Sequence, residues 1–317
     1  MTNSIEVQGL SKQYRSQKHA KAIDKLSFSI PGGQLFGLIG PDGAGKTTTL
    51  RILSTVMEPS TGSATVAGFD IRKQANKVRP MIGYMPQNFS LYPDLSVIEN
   101  LNFFADLNNV RGNIREERMK EMLAFTRLDR FQSRRAANLS GGMKKKLALA
   151  CALVHSPKVL LLDEPSTGVD PVSRRELWVM LAEVVAQGVT VIVSTPYMDE
   201  ADRCSQVGIL YQGQLLRLGS PDELQTDLPY EIIEVKAKPR KKMRQVVGAM
   251  NGVSDWRPVG DRLRIAVPHV NGTANKFMRR LDRGLRHAKT DVQILRSAKK
   301  TMEDVFTHSV QEKRSEE

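Results

Sequence analysis

The chain has 317 residues, of which 40% are hydrophobic and 26% are charged, an ordinary globular balance that argues against intrinsic disorder. Since domains usually contain about 100–200 residues, this length suits one large and one small domain. The aliphatic runs fall far short of the roughly 18 apolar residues that a membrane-spanning helix needs, and the first residues do not predict a signal peptide. We therefore expect a globular protein that reaches a membrane only through a partner.

The net charge of +13 is concentrated in the C-terminal part of the chain. From Leu228 to Glu317 there are 20 Lys and Arg residues against 11 Asp and Glu residues, a net charge of +9. No aromatic residues that could stack on bases are interleaved with these cations. The pattern therefore indicates a solvated face or the neighbourhood of anionic lipid, and no nucleic-acid partner is expected.

The first half of the chain begins with short strands and then becomes helical. Strands are expected at Ile5–Val7, Leu26–Ile30 and Leu35–Ile39, and the last of them runs directly into a glycine-rich loop. From Phe89 to about Leu153 the pattern predicts a helical insert. Its apolar residues at helical spacing are Leu95, Ile98, Leu101 and Phe104.

Strands and helices alternate after this insert. A buried strand is expected at Val159–Asp163, a helix with proline at its start at Pro171–Gln187, and a further strand at Thr190–Ser194. This alternation is typical of a parallel sheet. The residues from 225 to 317 predict a separate α+β domain with the βαββαβ order of a ferredoxin-like fold. Its expected elements are strand Tyr230–Lys238, helix Arg240–Met250, strands Val253–Arg257 and Arg262–Val267, helix Thr273–Leu285 and strand Asp291–Arg296.

The glycine-rich loop fits the pattern G-x-x-x-x-G-K-[ST] and lies between a strand and a helix, as phosphate binding requires. Glycines let successive backbone N–H groups point at phosphate oxygens, and the following helix N-terminus adds partial positive charge. Lys46 is expected to reach the β- and γ-phosphates, and Thr47 to offer its hydroxyl to Mg²⁺. The predicted phosphate-binding residues are Gly40, Pro41, Asp42, Gly43, Ala44, Gly45, Lys46, Thr47 and Thr48.

Two acidic residues end the strand Val159–Asp163 and the turn after it. Asp163 is placed to hold the magnesium ion, and Glu164 to orient and deprotonate an attacking water. Taken alone, the two carboxylates could merely cap the next turn. Together with a complete phosphate loop they predict a nucleoside triphosphatase.

The segment Asn138–Lys144 reads Asn-Leu-Ser-Gly-Gly-Met-Lys and resembles the signature motif of ABC ATPases, usually written LSGGQ. The resemblance implies that Ser140, Gly141 and Gly142 bind the γ-phosphate of ATP held by an opposite subunit. It also implies ATP and Mg²⁺ as ligands, and a dimer of this chain with itself or with a second ATP-binding cassette. Ser140 is at the same time a reasonable N-cap for a helix, and the two interpretations are compatible.

Three further positions match the same family in order. Tyr14 is similar to the aromatic residue that stacks on adenine, Gln87 to the glutamine that senses Mg²⁺ and the γ-phosphate, and Asp170 to the loop between the two sites of a dimer. Each of them alone would suit a surface or turn position equally well. The resemblance covers residues 1–224 and implies a P-loop NTPase cassette: a parallel core sheet, an antiparallel β subdomain and the helical insert at about 89–153.

Within this superfamily the chain is most similar to bacterial ABC-2 type exporter ATPases of the drug-resistance and efflux kind. The similarity lies in the basic run Met143–Lys146, the segment Leu91–Ser96 and the C-terminal stretch Met302–Phe306. It implies an integral-membrane ABC-2 type permease as partner, a drug-like or hydrophobic exported substrate, and a peripheral location on the cytoplasmic face of the bacterial inner membrane.

Pro196 departs from the family pattern. It occupies the position after the strand Thr190–Ser194 where the family has a histidine that hydrogen-bonds the γ-phosphate. Proline offers no side-chain donor and no backbone N–H. Either the site hydrolyses ATP slowly and pairs with a complete cassette, or Thr195, Tyr197 or a water supplies the missing contact.

Two other functions are compatible with parts of the sequence. A soluble ABC ATPase acting on ribosomes or DNA would use the basic tail, although such proteins usually carry two cassettes or a coiled-coil insertion. A regulatory subunit that binds ATP without hydrolysing it would suit Pro196 but not Glu164.

Overall fold

The computed structural model describes residues 3–14, 21–88, 91–269 and 273–316. The chain forms two compact units, Met1–Pro221 together with Glu312–Glu317, and Asp222–Gln311. Phe89, the first residue of the predicted helical insert, lies outside the described residues. In the described part of the chain, no helix combines the length and the apolar character needed to cross a membrane.

The first unit is built from two sheets and the helices around them. Its strands are β1 (Asn3–Gln13), β2 (Lys21–Pro31), β3 (Leu35–Ile39), β4 (Thr61–Val66), β5 (Phe69–Asp70), β6 (Ile82–Met85), β7 (Val159–Asp163), β8 (Thr190–Thr195), β9 (Gln206–Tyr211) and β10 (Gln214–Gly219). Its helices are α1 (Lys46–Leu53), α2 (Ala75–Val78), α3 (Val97–Leu107), α4 (Gly112–Thr126), α5 (Gly141–Leu153), α6 (Pro171–Ala186) and α7 (Met198–Ala201), and α8 (Pro221–Thr226) begins at its last residue.

The larger sheet has the strand order β10-β9-β3-β8-β7-β6, and all neighbouring strands except β9 and β10 run parallel. Every residue of β3 and of β7 is buried, which explains why these segments read as uninterrupted apolar runs. Parallel strands place their carboxyl ends at one edge. The glycine loop after β3, the acidic pair at the end of β7 and the segment after β8 therefore lie at the same edge.

The smaller sheet is antiparallel, with the order β2-β1-β4-β5. It packs against the larger sheet through a shared apolar core in which the rings of Phe28 and Phe36 stack at 5.5 Å. The predicted strands Ile5–Val7 and Leu26–Ile30 are present but are parts of longer strands.

Of the four apolar residues whose spacing predicted a helix here, Leu95 precedes α3 and only Leu101 is buried. The buried residues of α3 are Val97, Asn100, Leu101 and Ala105. The reason is geometric: successive steps of three residues drift around an α-helix, whereas steps of four stay close to one face. Ser96 caps α3, and its hydroxyl and the Glu99 carboxylate form a capping box that sets where the helix begins.

The second unit contains β11 (Tyr230–Lys238), β12 (Asp255–Val259), β13 (Arg262–Pro268) and β14 (Asp291–Ala298), with helices α9 (Arg240–Gly248) and α10 (Thr273–His287). It also contains residues 302–311 of the helix α11 (Met302–Glu316). Its sheet order is β12-β13-β11-β14 and every neighbouring pair is antiparallel. Order and connectivity are those of the expected ferredoxin-like arrangement. Helices α9 and α10 share one apolar core with the sheet, whereas the helix α11 was not predicted.

A network of buried charges ties α11 to the sheet of this unit. The Asp304 carboxylate accepts hydrogen bonds from Arg257 and Arg264, each at 2.8 Å, and from the Thr301 hydroxyl at 2.9 Å. Burial alone would raise the pKa of Asp304, but the charges and hydrogen bonds of the two arginines outweigh it and hold the pKa below its usual value. The ionised form of Asp304 therefore stabilises the second unit.

Replacement of Asp304 by Asn should destabilise the second unit by about 3 kcal/mol at pH 7, because the buried Arg264 and the partly buried Arg257 each lose one charged partner. Since the folded-state pKa of Asp304 is depressed, its contribution is present above the unfolded pKa of about 3.9 and is lost as the pH falls below it. The measurement is urea unfolding of the full chain, followed by the fluorescence of Trp256 in a Trp178→Phe background.

The matched control is Glu303→Gln, since Glu303 also pairs with Arg257 but its side chain is 58% exposed. This control should change the free energy of unfolding by less than about 1 kcal/mol. Equal destabilisation by both variants would contradict a special role for Asp304.

Candidate nucleotide-binding site

The loop after β3 is wound so tightly that two of its glycines have no room for a side chain. A Cβ on Gly40 would lie 2.2 Å from the carbonyl oxygen of Leu210, and one on Gly45 would lie 2.6 Å from that of Ala22. Gly43 and Gly45 also have positive φ angles of 77° and 106°. The loop can therefore adopt the curled backbone expected of a phosphate cradle.

Lys46 begins α1 and bends back over this loop. Its ammonium donates hydrogen bonds to the carbonyl oxygens of Gly40 at 2.8 Å and Pro41 at 3.1 Å, and lies 3.4 Å from the Glu164 carboxylate. The side chain is 3% exposed. A buried cation is thus fixed beside the loop, next to the acidic pair of β7.

Asp163, the last residue of β7, is 1% exposed and is held by two hydroxyl groups. Its Oδ1 accepts hydrogen bonds from the hydroxyl of Thr47 at 3.1 Å and from that of Ser194 at 2.7 Å. Its Oδ2 is buried and has no hydrogen-bond partner among the described residues. A carboxylate with a free oxygen beside a threonine hydroxyl is the hard-oxygen donor set that Mg²⁺ prefers, so the residues fit the expected ion.

Glu164 follows in a left-handed backbone conformation with φ of 49°. Its Oε2 accepts a hydrogen bond from the Gln87 amide at 2.9 Å and one from the Thr167 hydroxyl at 3.3 Å. The fold thus brings Gln87, the end of β7 and Lys46 together, as the sequence predicted. The expected direct contact of Gln87 with a metal ion stays a prediction, since its amide here contacts Glu164.

These groups open into a pocket of about 740 Å³ in the first unit. Tyr14 lines it, and its hydroxyl lies 3.2 Å from the Thr48 hydroxyl, so the ring is beside α1. Sequence reasoning missed Lys21, Ala22 and Gln212, because no motif surrounds them and only the sheet topology brings them here. The pocket is lined by Tyr14, Lys21, Ala22, Asp42, Gly43, Ala44, Gly45, Lys46, Thr47, Thr48, Gln87, Glu164 and Gln212.

The signature segment lies elsewhere in the first unit. Ser140 caps α5, and its hydroxyl accepts a hydrogen bond from the N–H of Met143 at 3.2 Å. A Cβ on Gly142 would lie 2.4 Å from the Ser173 hydroxyl, so α5 begins directly against α6, which Asp170 caps. None of Ser140, Gly141 and Gly142 lines the pocket. A single chain therefore does not join its signature segment to its own phosphate loop.

The segment at Pro196 does not offer an evident replacement for the missing histidine. The Thr195 hydroxyl is buried and donates to Glu200, while it also accepts the N–H of Tyr197 at 3.1 Å. The ring of Tyr197 packs on the Arg174 guanidinium at 4.8 Å. Neither of the two protein groups considered as substitutes lines the pocket, and no histidine is among its described lining residues.

Comparison with known proteins supports the same interpretation. The family model described as ABC transporter matches residues 23–167. Over 236 residues the chain is 38% identical to the Nod factor export ATP-binding protein I of Ralstonia nicotianae, covering 74% of this chain and 73% of the relative. It is 49% identical over 220 residues to the probable multidrug ABC transporter ATP-binding protein YbhF of Escherichia coli, but this match covers 69% of the chain and only 38% of that protein.

Solved structures agree with the fold. The ATP-binding subunit of an ABC transporter superimposes with a TM-score of 0.63 at 30% identity, covering 70% of this chain and 92% of the neighbour. A dimeric ATP-binding cassette bound to ADP and Pi in a post-hydrolysis state superimposes with a TM-score of 0.63 at 25% identity, covering 68% of this chain and 98% of the neighbour.

The fold and site therefore define a P-loop nucleotide-binding cassette. The chain belongs to the ABC transporter ATP-binding proteins.

Ser194 contacts both acidic residues of the site, and sequence reasoning missed it. Its hydroxyl donates to Asp163 Oδ1 at 2.7 Å and accepts the N–H of Glu164 at 3.0 Å, so one side chain on β8 fixes both acidic residues of β7. A serine in a strand carries no sequence signal of its own. Only the parallel pairing of β7 with β8, which sets Asp163 opposite Ser194, reveals it.

Replacement of Ser194 by Ala should lower kcat about 10-fold and raise the Mg²⁺ concentration needed for half-maximal ATP hydrolysis, because Asp163 and Glu164 lose a shared anchor. Ser194→Thr, which keeps the hydroxyl, should restore both quantities. The measurement is steady-state hydrolysis as a function of Mg²⁺, with nucleotide binding assayed separately. Unchanged kcat and Mg²⁺ dependence in the Ala variant would show that Ser194 has only a packing role.

Proposed function

We propose that this chain is the ATP-hydrolysing subunit of an ABC-2 type transporter, which drives export of a drug-like or hydrophobic substrate through a separate permease. The observation that carries the proposal is the arrangement of Lys46, Thr47, Asp163 and Glu164 around the glycine loop. A cation, a hydroxyl and two carboxylates in this order are the groups that phosphoryl transfer from ATP to water requires.

Each residue then has a defined task. Backbone N–H groups of residues 42–47 and the start of α1 bind the phosphates, and Lys46 neutralises charge on the β- and γ-phosphates. Thr47 and Asp163 would hold Mg²⁺, which supplies charge neutralisation and orientation of the phosphates. Glu164 orients a water for attack on the γ-phosphate and accepts its proton, a contribution typically worth about 10²–10⁴ in rate.

A dimer is part of the proposal, because the signature segment of one chain does not line its own pocket. Two antiparallel copies, or this chain and a second cassette, would place Ser140 and the N-terminus of α5 against the γ-phosphate held by the other subunit. ATP binding would then close the dimer, and hydrolysis would open it. The dimeric post-hydrolysis cassette among the structural neighbours supports this assembly.

The transport role rests on the relatives. Their names specify multidrug transport and Nod factor export, which supports an exported substrate of the drug-like or hydrophobic class. Since no described helix could span a membrane, we propose that an integral-membrane permease forms the pathway. The chain would act as a peripheral subunit on the inner face of the bacterial inner membrane.

Pro196 favours a second candidate, a cassette with weakened hydrolysis that pairs with an active one. A hydrogen bond to a charged group contributes about 1.5–3 kcal/mol. At about 1.4 kcal/mol per tenfold change, losing such a bond to the transition state slows hydrolysis by roughly one to two decades. The engagement of Thr195 and Tyr197 elsewhere supports this candidate.

The experiment that tests both candidates is ATP turnover by the chain purified with its permease, for wild type, Pro196→His and Glu164→Gln. We expect slow wild-type turnover and a gain of about tenfold or more in Pro196→His, because the imidazole restores a donor to the γ-phosphate. Glu164→Gln should lose at least about 100-fold in rate while still binding ATP, since only the base is removed.

Chromatography of Glu164→Gln with and without ATP serves as the binding control, because ATP should convert it into a stable dimer. A wild-type rate that Pro196→His leaves unchanged would remove the weakened-cassette candidate and leave a self-sufficient motor. Failure of the wild type to bind or hydrolyse ATP would overturn the proposed function itself.

A further inference from the structure

Helix α5 links the signature segment, which would contact the ATP of the partner subunit, to Glu164, which faces the chain's own nucleotide pocket. Ser140 caps α5, and the helix begins with Gly141 and Gly142 of the signature segment. Five residues after Ser140, the side chain of Lys145 contacts the backbone of Glu164. Five residues correspond to about 7.5 Å along a helix axis. One short rigid element thus joins the predicted contact with the partner's ATP to the chain's own Glu164.

Lys145 is an unusual residue for this position, since lysine is rarely fully buried. It is 4% exposed, and its ammonium donates to the carbonyl oxygen of Glu164 at 3.4 Å. Burial lowers the pKa of Lys145, whereas the charges of Glu164 and Asp163 act in the opposite direction. Lys145 is therefore a second cation, besides Lys46, that interacts electrostatically with the Asp163 and Glu164 carboxylates.

The neighbouring lysine behaves differently. Lys146 forms an ion pair with Glu176 on α6 at 2.6 Å, and its side chain is 14% exposed. The two lysines are adjacent on α5, but of the two only Lys145 contacts Glu164. Lys146 is therefore a matched control for Lys145.

Lys145 contacts a residue, Glu164, whose backbone conformation is unfavourable for residues with a Cβ. Glu164 has the left-handed φ of 49°, which residues with a Cβ rarely adopt. Its N–H donates to Ser194, while its carbonyl oxygen accepts from Lys145 and from the N–H of Thr167 at 3.3 Å. These hydrogen bonds hold the peptide units on both sides of the Glu164 Cα, and they therefore set the direction of the Glu164 carboxylate.

We infer that Lys145 is a positioning residue that holds Glu164 in its working orientation and couples it to the signature end of α5. The inference rests on the proposed dimer, in which that end contacts the partner's ATP. A shift of α5 when the partner's nucleotide binds or leaves would be transmitted through Lys145 to the backbone of Glu164. Each site would then hydrolyse ATP in response to the occupancy of the other.

The test compares Lys145→Met, Lys145→Arg and Lys146→Met in the full chain. Lys145→Met should lower kcat about 10-fold, because a misplaced catalytic group is costly even when substrate binding is intact. The dissociation constant for ATP should stay within about twofold. The Hill coefficient for ATP in the hydrolysis assay should fall toward one, since the link between the two sites is lost.

Lys145→Arg keeps a buried cation and donor and should recover most of kcat and of the cooperativity. Lys146→Met should leave both near wild type. To separate positioning from stability, Lys145→Gln provides a second uncharged variant that keeps a donor, and thermal unfolding is recorded for all variants. A structural role would lower the unfolding temperature but leave kcat per folded molecule and the Hill coefficient unchanged.

Unchanged kcat and cooperativity in folded Lys145→Met would overturn the inference, whereas Lys145→Gln, which keeps a donor, should lie between Lys145→Met and Lys145→Arg. Failure of the proposed function would be distinct, because Glu164→Gln would then hydrolyse ATP as the wild type does, or no variant would bind ATP. If Lys145→Met lowers kcat but leaves the Hill coefficient unchanged, Lys145 positions Glu164, and the inferred coupling between the two sites is wrong.

Discussion

Two carboxylates buried at the end of β7 set the conditions that the rest of the cassette has to meet. Asp163 and Glu164 are 1% and 5% exposed, and each buried charge is costly unless it is paired and hydrogen-bonded. Four surrounding parts of the chain supply the compensating groups. Their side chains are Lys46 and Thr47 from α1, Gln87 after β6, Ser194 from β8 and Lys145 from α5.

This arrangement also explains the order of the larger sheet. β7 lies next to β8, and the loop after β3 lies one strand further on, so hydroxyl and ammonium groups from three chain segments converge on one edge. The left-handed backbone of Glu164 turns its side chain away from the direction of Asp163. One residue can then serve metal binding while the next faces the reacting water, although they are adjacent in sequence.

The sequence predicted the parts of this site that local geometry dictates. The glycine loop could be found because its glycines are forced by close backbone approach, as Gly40 and Gly45 confirm. Strands β3 and β7 could be found because they are apolar throughout. Ser194 and Lys145 could not, because a serine in a strand and a lysine in a basic run usually face solvent. Their roles arise from contacts with residues about 20 to 30 positions away, which only the tertiary fold creates.

In the second unit, the same limit applied to α11. The alternating strands and the amphipathic helices α9 and α10 are readable from local patterns, and their order matches the expectation. Helix α11 buries Met302, Val305 and Val310, and charge pairing of Asp304 with arginines on β12 and β13 also helps to fix it. Long-range charge pairs of this kind have no periodicity, so sequence inspection does not detect them.

The resemblance to the family implies a histidine at the position of Pro196, and the contacts of the surrounding segment do not depend on the side chain at that position. Glu200 is 0% exposed and accepts hydrogen bonds from the Thr195 hydroxyl, the Arg174 guanidinium and the Trp178 indole. The Thr195 hydroxyl also accepts the N–H of Tyr197 at 3.1 Å, so the residues on both sides of position 196 are held without a contact from the side chain at that position. Ser194 on β8 contacts Asp163 on β7. Position 196, two residues after Ser194, therefore follows β8 at the edge of the sheet where the acidic pair lies. A histidine substituted at position 196 would therefore enter a segment that is already held by its own hydrogen bonds.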